Sequence, residues 1–220
     1  MISKLPKWVE YGAFVLALTA GWVNAVGLLG FKHQAISHLS GTATLVGAGL
    51  INGSLSDVFH LLAVLLSFLL GAVLSGLLLS GNSLKLGRHY GTLLFIEGCL
   101  LLTALLLLRQ GSYYGHYLAS SACGLQNALA TTYSGAVVRT THVTGIFTDL
   151  GIMIGSAIKG GGFDKRKAIL FLLIVSGFIS GGTLGAVAYA HYQFLALLIP
   201  ALICFCLALS YHSYASKTGH

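Results

Sequence analysis

Charge is what this chain has least of. Only 8% of its 220 residues are Asp, Glu, Lys or Arg, where a soluble domain carries about 25%. With 56% apolar residues, it has too little polar surface to face water on all sides, which excludes a soluble globular protein. Proline is nearly absent, at two residues, and the Leu-rich runs are long. Both facts favour helices over a membrane barrel, which alternates in short segments of roughly 10 residues. Acidic residues number five against twelve Lys and Arg, a formal net charge of +7. That excess does not indicate nucleic acid, because there is no basic stripe interleaved with aromatics. The cations lie between apolar runs, as the positive-inside rule places them. The four cysteines (Cys99, Cys123, Cys204, Cys206) sit inside apolar runs without a C-x-x-C pair, as small packing residues do. No G-x-S-x-G is present, so a serine-hydrolase elbow is missing and no enzyme is expected.

What is abundant is long apolar sequence. Six stretches reach the roughly 20 residues that a membrane crossing needs: residues 11–29, 58–80, 90–108, 117–138, 168–190 and 194–211. Lys4 and Lys7 before the first run resemble a signal peptide, but the run continues without a clean small-x-small cleavage site and such runs repeat later in the chain. That run is therefore expected to be retained as the first membrane helix. Two further segments, 38–52 and 142–158, are short and rich in Gly, Thr and Ser. If all eight segments span, with the N-terminus inside, eight Lys and Arg are inside and four outside. If the two short ones re-enter, ten are inside and only Lys32 and Arg109 outside. The positive-inside rule favours the second arrangement, with both termini in the cytoplasm.

Three blocks recur in order. Gly21-Trp-Val-Asn24-Ala25 matches Gly124-Leu-Gln-Asn127-Ala128 at an offset of 103. His38-Leu-Ser-Gly41-Thr-Ala-Thr44-Leu-Val-Gly47 matches His142-Val-Thr-Gly145-Ile-Phe-Thr148-Asp149-Leu-Gly151 at 104. Phe68-Leu-Leu-Gly71-Ala72-Val-Leu-Ser75 matches Phe178-Ile-Ser-Gly181-Gly182-Thr-Leu-Gly185 at 110. The reading is one all-α membrane domain over 1–220 with six transmembrane helices and two short re-entrant or broken helices. It is built as an internal repeat of halves 8–108 and 114–213. Three spans per half make the halves inverted, a recurrent transporter and channel design.

The G-x-x-N-A block, and above all Val138-Arg-Thr-Thr-His142-Val-Thr-Gly145 followed by Thr148-Asp149-Leu-Gly151, resembles the YoaK-type family. These are small bacterial inner-membrane proteins grouped under a domain of unknown function. The likeness covers nearly the whole chain. The family's first-half block carries Asn directly after the Gly, where this chain has Thr42. The resemblance implies a location in the bacterial inner membrane and brings no activity with it.

Asp149 leads the candidate site residues. A carboxylate at mid-membrane costs about 2.5–3.5 kcal/mol on insertion scales, and is tolerated in a cavity, beside a cation or protonated. Arg139 can contact an anion bidentately or anchor the chain at the cytoplasmic face. His38 and His142 can line a pore or bond irregular backbone. No second ligand sits at helical spacing from either, so no metal or cofactor is expected. Ser40 and Thr144 are candidate helix caps, which would aim helix dipoles at a common centre. Thr44 and Thr148 either line that centre or bond back to their own helices. Asn24, Asn127 and Gln126 are buried amides that need partners, and Glu97 is a second candidate acid. The expectation is a small-solute transporter or channel-like permease. Its central polar site is expected to be lined by Asp149, Arg139, His142, His38, Asn24, Asn127, Thr148 and Thr44. The first alternative is a non-transporting membrane partner or assembly subunit, and an intramembrane enzyme ranks below it. The partners implied are the lipid bilayer, a small solute or proton, and a second copy of the chain, with nucleic acid excluded.

Overall fold

The computed structural model describes residues 8–30, 36–79, 89–134 and 138–218, and these form helices without a strand. In order they are α1 (Trp8–Gly30), α2 (Leu39–Asn52), α3 (Leu55–Leu78), α4 (Tyr90–Arg109), α5 (Tyr114–Ser134), α6 (Val143–Ile158), α7 (Lys165–Tyr192) and α8 (Leu198–Thr218). A 3-10 turn, Gln193–Leu197, joins α7 to α8.

Four helical stretches are long and apolar enough to cross a membrane: Trp8–Gly30, Leu55–Leu78, Tyr90–Arg109 and the continuous Lys165–Ser213. The last contains α7 and α8, which the sequence divides at residues 190–194. Gln193, at φ 52 and ψ −137, makes that division. The expected span at 117–138 corresponds to α5 but is not apolar enough to stand with these four. Its Ser, Thr and Gln residues are tolerated because the helix is enclosed by α3 and α4. The two short segments form helices of 14 and 16 residues, or about 21 and 24 Å at 1.5 Å per residue.

Helix starts follow local chemistry. Ser54 Oγ accepts the Asp57 amide at the head of α3, and Asp164 Oδ1 accepts the Lys167 amide at the head of α7. Each satisfies one of the amides that a helix start leaves without an intrahelical partner. The two caps correspond at the same offset of 110 as the third sequence block. Ser40 and Thr144 are not caps. Thr42 and Ile146 donate their amides to the carbonyls of His38 and His142, so both helices begin earlier and the two hydroxyl residues lie in the first turn. Neither histidine side chain caps its helix.

Helix directions are set by paired contacts. Gly177, Gly181 and Gly185 face the carbonyls of Phe14, Leu18 and Trp22 in turn, so α7 runs parallel to α1. His60 Nδ1 meets Tyr117 OH at 2.9 Å, Ser120 Oγ donates to the Val64 carbonyl at 2.9 Å, and Gly124 abuts the Phe68 carbonyl. That sequence of contacts makes α5 parallel to α3. By contrast, Trp8 packs on Tyr133 with ring centroids 5.6 Å apart, while Thr19 pairs with Gln126. So α1 and α5 are antiparallel. Tyr90 with Tyr211 and Phe95 with Phe205 make α4 and α8 antiparallel too.

The close crossings match in pairs. Gly21 abuts the Phe178 carbonyl as Gly124 abuts that of Phe68. Gly181 abuts the Leu18 carbonyl as Gly71 abuts that of Ser121. A glycine is required at each because a Cβ would overlap the facing backbone, and small residues are what let membrane helices approach.

Candidate functional site

The eight expected site residues do not converge. α2 packs against the start of α3, where Gly49 meets Val58. α6 packs against the start of α7, where Asp149 Oδ2 lies 3.7 Å from Lys167 Nζ. Since α3 and α7 run in opposite directions, those starts lie at opposite ends of the bundle. His38 and Thr44 belong to one end, and Arg139, His142, Thr148 and Asp149 to the other. Asp149 pairs with a lysine across a helical hairpin, and its side chain is 48% exposed. Arg139, His38 and His142 are exposed. Thr44 and Thr148 donate to the carbonyls of Ser40 and Thr144, so their hydroxyls serve their own helices. Asn24 Oδ1 accepts both the amide and the hydroxyl of Ser37, which ties α1 to the approach to α2. Its counterpart Asn127 has a buried Oδ1 with no hydrogen-bond partner.

A polar cluster does form in the interior, from three other residues. Gln126 Nε2 donates to Thr19 Oγ1 at 2.7 Å and to Glu97 Oε1 at 2.9 Å. This joins α1, α4 and α5. The Cys204 thiol of α8 is a further close neighbour of the carboxyl. Glu97 is 2% exposed, Gln126 1% and Thr19 1%. Glu97 Oε2 and Gln126 Oε1 are buried without a hydrogen-bond partner. A buried polar atom left unsatisfied costs about 1–3 kcal/mol, and such atoms in a native fold call for an explanation.

Beside the cluster lies a cavity of about 620 Å³ between α1, α4, α5 and α8. Its walls carry Trp8, Tyr11, Tyr90, Tyr133 and Tyr211, and no charged side chain among the described residues. It forms because α4 packs along both α5 and α8, whereas α8 touches α1 only sparingly. Its inner wall includes Leu16, Leu94, Leu129 and Leu207. Three residues further along each helix stand Thr19, Glu97, Gln126 and Cys204. One helical turn of leucine thus separates the cavity from the carboxyl. On the far side the bundle is closed by Trp22, Val26, Leu101, Leu105 and Ala119. There Trp22 Nε1 also donates to the Ala196 carbonyl at 3.0 Å.

Glu97 and Gln126 are legible in the sequence as polar residues in apolar runs. Thr19 and Cys204 carry no signal of their own, and the five aromatics resemble ordinary membrane-interface residues. What groups them is helix packing.

An all-helical bundle with long apolar helices, and polar side chains turned inward onto one carboxyl, defines a membrane-type helical protein. Its family model is that of a protein of unknown function, DUF1275, which matches residues 12–210. The chain belongs to that family. No curated protein and no solved structure matches it.

Proposed function

We propose that the protein is a small-solute permease of the bacterial inner membrane, of the YoaK type, whose solute path runs through the aromatic cavity to Glu97, Gln126 and Thr19. The observation that carries this reading is the cavity ending one helical turn from a buried carboxyl with an unsatisfied oxygen. Pockets for small molecules are mostly apolar with a few convergent polar groups, and an ionisable residue inside a membrane bundle marks a solute or proton path.

The architecture proposed is six spans and two re-entrant helices in an inverted repeat. Antiparallel α1 and α5 support it, since eight alternating spans would make these counterparts parallel. The matched glycine crossings support the duplication. Arg139, Lys159, Lys165, Arg166 and Lys167 lie at the end where α1 and α7 start, and Arg109 at the other. By the positive-inside rule the former end is cytoplasmic, as are both termini, and the cavity opens towards it.

The repeat supplies the second state. Exchanging the roles of the halves maps the open α1–α8 seam onto α5 and α4, at the opposite face. A molecule in which α8 closes on α1 while α4 leaves α5 would open outwards. Alternation of this kind is what inverted repeats provide.

Single cysteines in a background without native ones test this. Ala130→Cys, on the cavity wall, is expected to react with an impermeant maleimide from the cytoplasmic face. Ala119 is fully buried and is the counterpart of Leu16 at the 103 offset. Ala119→Cys is expected to react from the outer face in a fraction of molecules. Labelling at 130 with none at 119, under every condition, sinks the alternating path.

A further inference from the structure

The permease reading leaves the solute open, and the chemistry of the cavity narrows it. We propose that the cavity admits a monovalent, lipophilic organic cation, and that the Glu97 carboxyl holds that cation and a proton in turn, each displacing the other. This rests on the path proposed above.

Three observations lead there. The walls are apolar and aromatic, with no charged lining residue among those described. Ring faces are electron-rich and attract organic cations, while apolar walls accept their hydrocarbon parts. The volume of about 620 Å³ matches the roughly 300–1,000 Å³ of pockets that enclose drug-sized molecules. At the inner end is an acid, not a base. Its oxygen Oε1 is engaged by an amide, and Oε2 has no hydrogen bond.

From α8 and α5 the titratable groups near Glu97 are the thiols of Cys204 and Cys123. α1 contributes the Thr19 hydroxyl. Among the described residues, the Lys, Arg, Asp and remaining Glu residues lie at helix ends or in the joining turns, except Asp149, which sits within α6 beside Lys167. A carboxylate enclosed by such neighbours has no partner charge, and a buried charge is sustained only when paired. The site therefore holds one positive unit at all times. When the cation reaches the carboxyl, the O–H bond breaks and the proton leaves through the cavity. When the cation departs, a proton returns to the same oxygen. One monovalent cation exchanged for one proton moves no net charge. The ring of Leu16, Leu94, Leu129 and Leu207 must part by about one side chain for the cation to arrive.

Tetraphenylphosphonium is the probe, with triphenylphosphine oxide as its neutral counterpart, both measured on purified full-length protein by equilibrium dialysis between pH 5.5 and 9. The expected result is saturable binding of the phosphonium that weakens up to tenfold per pH unit on acidification, with one proton released per cation bound. Glu97→Gln keeps the side-chain volume and is expected to weaken binding at least tenfold while melting within a few degrees of the wild type. Glu97→Asp is expected to retain pH-dependent binding. Equal binding of the neutral oxide, pH-independent binding, unchanged binding in Glu97→Gln, or a cavity occupied by a co-purifying lipid that the phosphonium does not displace, each overturns the proposal. The two readings fail separately. Labelling of Ala119→Cys from the outer face without phosphonium binding leaves a permease for another solute. Proton-coupled binding without that labelling leaves a cation site and removes the permease.

Discussion

Gly21 and Gly124 bring helix backbones into contact with the Phe178 and Phe68 carbonyls, and the consequence of adding one methyl group there can be measured. Gly124→Ala is expected to lower stability by about 1–3 kcal/mol or more through overpacking, read as a lower melting temperature in detergent. Gly76→Ala is the control: nothing lies within 4 Å of its added Cβ, and Ala is favoured over Gly in a helix by about 0.8–1.0 kcal/mol, so no loss is expected. Asp149 makes the opposite case. Its ion pair with Lys167 is exposed on both sides, at 48% and 32%, and exposed pairs contribute about 0–1 kcal/mol. Asp149→Asn is expected to shift stability by less than about 1 kcal/mol and to leave solute binding intact, as thermal shift with and without the solute will report. An acid in an apolar segment is conspicuous in the sequence, but periodicity cannot say which side of a 16-residue helix is exposed. Glu97 was visible on the same grounds, but its partners come from residues 19, 126 and 204, far apart in the chain. Only packing brings those together.

At the scale of helices, the sequence placed apolar runs and breaks well where hydropathy and glycine mark them. It placed helix starts less well. At His38 and His142 the backbone turns before the Ser and Thr that resemble caps, since the histidine carbonyls already accept the first helical bonds. The α7–α8 junction was legible as a division near 190–194, although the helical run continues to Ser213. Gln193 holds that junction with φ 52 and ψ −137, a conformation that costs a non-glycine residue of order 1–3 kcal/mol. Gln193→Gly is expected to raise the melting temperature modestly, and an unchanged or lowered value would mean that the turn depends on the side chain. α5 is legible as a helix but not as the polar centre of the bundle. A helix enclosed by its neighbours is free to carry Ser, Gln and Asn, which makes it the least lipid-like in composition and the most buried in place.

For the whole molecule, the proposed repeat would divide the interfaces into those that it exchanges and those that it maps onto themselves. α1 with α8 and α5 with α4 exchange. α4 with α8 would not, because in the proposed repeat each helix is the other's counterpart, and the pair is closely packed. If transport proceeds by swapping the conformations of the halves, that pair has the same geometry before and after, and the remaining helices turn about it as about a fixed axle. A flexible thiol cross-linker joining cysteines at Phe95 and Phe205, whose rings lie 5.3 Å apart, is then expected to leave alternation intact. The same reagent joining Gly12 to Ser210, across the cavity mouth, is expected to arrest it in one state.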